Sequence, residues 1–207
     1  MLVSKLVRQA HCLSSIILLN SFHAEASADH RRFCIGEFMA SYDYGKTDIV
    51  AYICNNFKYG STCLDVGACD GKWSTLLSHQ LVMDAVEIWE PNINEWNLKW
   101  KYRNVYNTDV ADLEYEWYDL ILFGDVIEHM PVDRAQAVLE YAQPRCRDMI
   151  IGVPFNYPQE AIYGNPYEEH IQPDLTPEIF NERYPGYELL CQPVPGYAYY
   201  DKGETNG

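Results

Sequence analysis

From Lys46 onward, apolar residues recur first with a helical period and then in short blocks. Ile49, Val50, Ile53 and Phe57 share one helical face, which predicts a helix over residues 46–57. Strand-like runs follow at Thr62–Val66, Asp84–Ile88, Asn104–Asn107, Tyr118–Phe123 and Met149–Val153. Helical patterns lie between them at Gly71–Gln80, Pro91–Trp100 and Val132–Tyr141, with Pro91 suited to a first helical turn. Runs such as Leu120-Ile121-Leu122-Phe123 are apolar at every position, the mark of strands buried on both faces under helices. Two last strand-like segments, Tyr187–Cys191 and Gly196–Asp201, flank a turn at Gln192-Pro193-Val194-Pro195. The alternation predicts an α/β fold: a Rossmann-like, doubly wound open sheet, mostly parallel, with an antiparallel terminal hairpin.

Residues 1–38 read differently. Lys5 and Arg8 precede an apolar stretch, Leu13–Leu19, and Ala24-Glu25-Ala26-Ser27-Ala28 has the small residues of a cleavage site. These are the parts of a secretory signal. Val3, Leu6, Val7 and Ala10 also share a helical face, so an extra N-terminal helix is a second reading, and a start near Met39 a third. The main domain is accordingly 39–207. The apolar stretch is too short for a spanning helix of about 20 residues, so no membrane segment is expected.

Composition narrows the partners. The 207 residues suffice for one globular core, and the 48% hydrophobic content with 17 tyrosines is not that of a disordered chain. A net charge of −15 disfavours a nucleic acid partner, because phosphate binding requires clustered Lys and Arg. Seven scattered cysteines with no Cys-x-x-Cys pair suit reduced thiols in a cytoplasmic protein, neither a disulfide framework nor a zinc site.

Candidate chemistry begins at Cys63-Leu64-Asp65-Val66-Gly67-Ala68-Cys69-Asp70-Gly71, a strand ending in an acid and a glycine turn that opens a helix. Gly67 and Gly71 permit positive φ and close backbone approach to a nucleotide-like ligand. Glu87 follows Asp65 by 22 residues, the distance at which an acid accepts ribose hydroxyls, with Glu90 as its rival. Asp109, after the third strand, would take an adenine amino group.

Leu64–Gly71, Val86-Glu87, Thr108-Asp109-Val110 and Tyr118–Asp125 together resemble the class I S-adenosylmethionine-dependent methyltransferases over residues 40–201, whose last strand is also antiparallel. The resemblance implies a seven-stranded sheet and S-adenosyl-L-methionine held by Asp65, Gly67, Ala68, Gly71, Glu87, Asp109 and Val110. Cys69 departs from it by replacing the usual middle glycine. A dehydrogenase is the rival, but its turn is Gly-x-Gly-x-x-Gly, not Asp-x-Gly-x-Cys-x-Gly. A non-catalytic relative of the fold is the third reading.

A second constellation follows the fourth strand. Offsets of three and four in Asp125-Val126-Ile127-Glu128-His129 place Asp125, Glu128 and His129 on one side of a helical turn. His170 lies in the long connection after the next strand. Two carboxylates and two imidazoles are a ligand set for Mg²⁺, Mn²⁺ or Fe²⁺. The set resembles that of the metal-dependent small-RNA 3′-end methyltransferases and, more loosely, the ubiquinone-pathway O-methyltransferases, except that Asp125 stands where glutamate is usual. Without a metal, His129 or His170 would serve as base, with Asp125 beside them. The segment from Gly152 through Pro158 to His170 and Thr176, rich in Tyr and Asn, is expected to shape the acceptor pocket. The expected activity is O-methylation of a small-molecule or glycan hydroxyl, with RNA as the alternative acceptor.

Overall fold

A computed structural model of the chain describes residues 43–202; the expectations for residues 1–38 lie outside them. Helix α1 (Lys46–Asn56) is followed by β1 (Ser61–Val66), α2 (Lys72–Leu77), β2 (Leu81–Val86), α3 (Glu90–Glu95), α4 (Leu98–Lys101) and β3 (Val105–Tyr106). The second half runs β4 (Tyr118–Gly124), α5 (Val132–Ala142), β5 (Cys146–Pro154), α6 (Pro177–Arg183), β6 (Tyr187–Val194) and β7 (Tyr197–Lys202). The seven strands form one sheet in the order β3-β2-β1-β4-β5-β7-β6. All neighbours are parallel except those involving β7, which pairs antiparallel to both β5 and β6.

Each face of the sheet carries its own core. One contains Leu64, Val66, Ile121, Phe123 and Ile151 under α5 and α6; the other contains Cys63, Met83, Leu120, Leu122 and Ile150 under α1 and α2. Covering both faces is what makes the apolar β4 run favourable as a strand. The register aligns the carboxyl ends: Val66 pairs with Val86 and Phe123, Val86 with Tyr106, and Gly124 with Gly152. Strand order reverses between β1 and β4, so their diverging loops leave a crevice at that edge, where such sheets bind ligands.

The elements match expectation more closely than their boundaries do. β2 spans residues 81–86, so Glu87 stands just beyond its end. Gly71 caps α2 at φ +73 and the helix ends at Leu77, three residues short of expectation. The helix expected over Pro91–Trp100 divides at Asn97, which takes φ +52. Helix α6 was not anticipated, although Thr176 caps it from the N–H of Ile179 at 3.2 Å and Pro177 fills its first turn. The hairpin turn is tighter than expected, at Pro195-Gly196, and Pro193 belongs to an irregular edge strand where a missing donor is tolerated. Among the described residues no cysteines form a disulfide, and no helix is long and apolar enough to cross a membrane.

One polar knot fastens the thin edge of the sheet. Asp84 of β2 is 1% exposed and accepts from Arg103 Nε (2.9 Å) and Nη2 (2.6 Å), from Tyr118 Oη (2.7 Å) and from Asn104 N and Nδ2 (both 3.1 Å). Burial opposes ionisation of this carboxylate, but the bonds from Arg103, Tyr118 and Asn104 prevail and hold its pKa below the usual value. Asp84→Asn should therefore cost about 2 kcal/mol. Because the folded pKa is depressed, that contribution is present above about pH 4 and is lost as pH falls through the folded value. Denaturant unfolding from pH 7 to pH 3 should show the wild-type advantage over Asp84→Asn shrinking only at the acid end.

Candidate active site

The turn between β1 and α2 contains three positive φ values: Gly67 (+70), Cys69 (+44) and Gly71 (+73). Gly67 and Ala68 donate to the Val86 carbonyl at 2.9 and 3.2 Å, and Gly71 to that of Ala68 at 2.7 Å. A Cβ on Gly67 would meet Val126 Cγ2 at 2.8 Å, and one on Gly71 would meet Lys101 Cδ at 2.7 Å. Cys69 holds the same left-handed region with a side chain, at a strain of order 1 kcal/mol. What keeps it there is Glu87. This buried carboxylate accepts the Cys69 N–H through one oxygen and the Trp89 N–H through the other, both at 2.8 Å. Burial raises its pKa, and these two bonds oppose the rise.

Asp65, 1% exposed, accepts from Tyr102 Oη at 2.5 Å through one oxygen, while the other has no partner. Burial lifts its pKa to about 7 against the pull of Tyr102. Asp109 caps a short turn through the Ala111 N–H (2.9 Å) and pairs with Arg134 of α5. The next residue, Val110, is buried.

These groups line a cavity whose empty volume, solvent at its mouth included, is about 980 Å³. Gly67, Ala68, Glu87, Asp109, Val110, Asp125 and His129 line it; Asp65, Gly71, Glu128 and His170 are not among its lining residues. Sequence reasoning missed Trp73 and Arg134, which also line it; Asn165, Tyr167 and Glu168 line it from within the Gly152–Thr176 segment expected to shape the acceptor pocket, though none of the three is singled out there. Trp73 is set by a close fit: a Cβ on Gly124 would lie 2.6 Å from its indole Nε1, and the Lys46 ammonium sits 4.4 Å above its ring. Asn165, Tyr167 and Glu168 come from the connection between β5 and α6, tied down where Ile171 and Gln172 donate to the Glu128 carbonyl at 2.8 and 3.0 Å. Burial, then the nearby charges of Glu87 and Asp125, push the Glu168 pKa up to about 7.

The second constellation differs from its expected form. Asp125 adopts φ +58 and residues 127–129 form a 3₁₀ turn, so the anticipated α-helical turn is absent. Glu128, His129 and His170 offer ligand atoms all within 4.8 Å of one another, and Asp125 is outside that group. Its carboxylate is turned into the fold, where burial raises its pKa and the Lys46 ammonium, then the Tyr197 hydroxyl, oppose the rise; neither oxygen closes a hydrogen bond of normal geometry.

The imidazoles of His129 and His170 meet edge to face at 4.7 Å. Nδ1 of His129 lies 3.1 Å from the Glu169 carbonyl, and Nδ1 of His170 lies 2.6 Å from that of Tyr157. A carbonyl only accepts, so each Nδ1 carries the proton and each Nε2 keeps its lone pair. Burial, then the neighbouring His170, lowers the His129 pKa to about 4; burial lowers that of His170. Glu128 is fully buried, neither carboxylate oxygen closes a hydrogen bond of normal geometry, and burial followed by Asp125 raises its pKa against the backbone N–H groups of Glu128 and Val126. Two neutral imidazoles oriented by carbonyls, beside a buried carboxylate, have the donor types and supporting bonds of a divalent metal site.

Several solved structures share this architecture. A methyltransferase dependent on S-adenosylmethionine from Clostridium acetobutylicum superposes with TM-score 0.60 at 12% identity, covering 80% of this chain and 94% of its own. The fold is that of the S-adenosylmethionine-dependent methyltransferases. A TehB-like member from Corynebacterium glutamicum gives 0.56 at 15% identity, covering 79% and 89%. The 1,6-didemethyltoxoflavin N1-methyltransferase of Burkholderia thailandensis, with 1,6-didemethyltoxoflavin and S-adenosylhomocysteine bound, gives 0.52 at 18%, covering 76% and 77%. No family model and no curated protein matches the sequence.

The strained cysteine yields a direct expectation. Cys69→Gly should leave the melting temperature unchanged or raise it, whereas the β-branched Cys69→Val should cost about 2 kcal/mol in denaturant unfolding.

Proposed function

We propose that this protein is an S-adenosylmethionine-dependent methyltransferase that methylates a hydroxyl of a small molecule or glycan. The observation that carries the hydroxyl reading is the group of Glu128, His129 and His170, with two Nε2 lone pairs and a buried carboxylate beside the cavity. An amine acceptor needs only its own lone pair; a hydroxyl has a proton to lose.

The Gly67–Gly71 turn and Val110 would hold the nucleoside, and the lone pairs Glu87 still has beyond its two backbone bonds would accept ribose hydroxyls. When bound, the cofactor supplies an electrophilic methyl group on a sulfonium. Positioning an acceptor oxygen in line with it can contribute roughly 7–11 kcal/mol. Glu128, His129 and His170 fit a divalent cation, which when bound lowers the pKa of a coordinated hydroxyl. With no cation there, an Nε2 of the pair is the atom that takes the hydroxyl proton. Tyr157 and Tyr167, each partly exposed on the connection after β5, present ring faces on which a sugar or phenol can stack.

Two experiments test this reading. Labelled S-adenosylmethionine should transfer its methyl to polyol, catechol or glycan acceptors as an alkali-stable ether. Activity should fall about 100-fold with EDTA, recover with Mn²⁺ or Mg²⁺, and fall as far in Glu128→Gln and His170→Ala. EDTA-resistant ether formation would assign the proton to the histidines alone, and methylation of amines only would overturn the hydroxyl reading. The same ligand set suits the terminal ribose of an RNA. Binding to a short RNA should nevertheless be weak at 50 mM salt and absent at 200 mM; tight, steeply salt-dependent binding would favour the RNA acceptor.

A further inference from the structure

We propose that Glu168 makes the cavity select the positively charged methyl donor over its neutral demethylated product. The inference rests on the methyltransferase reading above and concerns which form of the cofactor the same site prefers.

Charge balance in the cavity is the starting point. Asp70, Glu87, Asp109, Asp125 and Glu168 line it, against the cations Lys72 and Arg134. Both cations are engaged by acids: Lys72 lies 3.0 Å from Asp43, and Arg134 pairs with Asp109. Among the described residues, no ion pair engages Glu87 or Glu168, while the Lys46 ammonium opposes the charge of Asp125. Glu87 already accepts two backbone N–H groups of its own wall. The two Asp125 oxygens are shut off from solvent. Glu168 enters from a separate element, the connection after β5, and is near enough to feel the charges of both Glu87 and Asp125. Its position is held: the Gln159 side chain donates to its backbone carbonyl at 2.7 Å, and Asn165 Nδ2 lies 3.2 Å from its Oε1. A carboxylate fixed in a partly desolvated wall, facing other acids, presents a local field that a cation relieves.

The donor and its product differ in this one respect. S-adenosylmethionine carries a sulfonium, an ammonium and a carboxylate, for a net charge of +1. Loss of the methyl leaves a thioether and a net charge of zero, with every other recognition group unchanged. A neutral cavity would hold the two about equally and be inhibited by its product. A cavity with an unneutralised carboxylate in its wall holds the donor and releases the product.

Calorimetry on the full chain at pH 8.5, where Glu168 is ionised, and in EDTA, so that no divalent cation contributes, tests this with S-adenosylmethionine, S-adenosylhomocysteine and sinefungin, in which an amine replaces the methylated sulfur. The wild type should bind the two charged ligands about 10-fold more tightly than the neutral one. In Glu168→Gln the ratio of product Kd to donor Kd should drop about 3- to 10-fold, through weaker donor binding. Glu168→Asp, which keeps the charge, should retain the ratio within about 2-fold, and so should Glu188→Gln on the exposed face of β6. Product bound as tightly as donor by the wild type overturns the proposal without any variant. So does a ratio unchanged in Glu168→Gln. Failure of the wild type to bind any of the three overturns the methyltransferase reading itself, a distinct outcome.

Discussion

Two loops at the carboxyl edge of the sheet are joined by one buried carboxylate. Glu87 accepts the Cys69 N–H from the turn after β1 and the Trp89 N–H from the turn after β2. Parallel pairing ends at Val66 and Val86, and past it the backbone contact between the two chains narrows to Gly67 and Ala68 donating to the Val86 carbonyl. The carboxylate takes over where the ladder stops. It offsets the strain of a non-glycine residue at φ +44 and shapes the wall of the cavity. An acid whose lone pairs are partly consumed by its own backbone is also pre-positioned, since it need not reorganise when a ligand arrives.

The rest of the site is set around that edge by close packing. Gly124 admits the Trp73 indole, Trp73 carries the Lys46 ammonium, and Lys46 in turn eases the ionisation of Asp125. Asp125 is thereby drawn into the fold and away from the histidine pair. The connection after β5 is anchored by the Glu128 carbonyl and by Gln172, whose side chain donates to the carbonyls of Ile127 and Met130. That anchoring brings His170 against His129 and leaves Glu168 over the cavity.

How much of this was legible in the residues depended on the range of the interaction. Apolar blocks of four to six residues located β1, β4 and β5, because strands buried on both faces admit little else. The Gly67–Gly71 turn and the spacing to Glu87 were legible for the same local reason. Boundaries were not. The break at Asn97 and the early end of α2 carry no proline to announce them. Helix α6 does carry a signal, Thr176-Pro177, but its seven residues are too few to show a clear apolar period within a long connection. The grouping of Glu128 with His129 was visible in their adjacency, but Asp125 was misjudged because nothing in the pattern indicates a left-handed residue at the end of β4.

The sequence by itself determined the alternation of strands and helices, the glycine turn, the antiparallel last strand and the identity of the groups able to do chemistry. These follow from periodicity and from backbone preferences, which act within a few residues. Only the tertiary structure decided which of those groups meet. Asp109 is committed to Arg134, Asp125 to the surroundings of Lys46, and Glu168 to the cavity through pairings that span 25, 79 and 81 residues of chain. Such pairings depend on how the loops close over the sheet edge, and no local pattern encodes that closure.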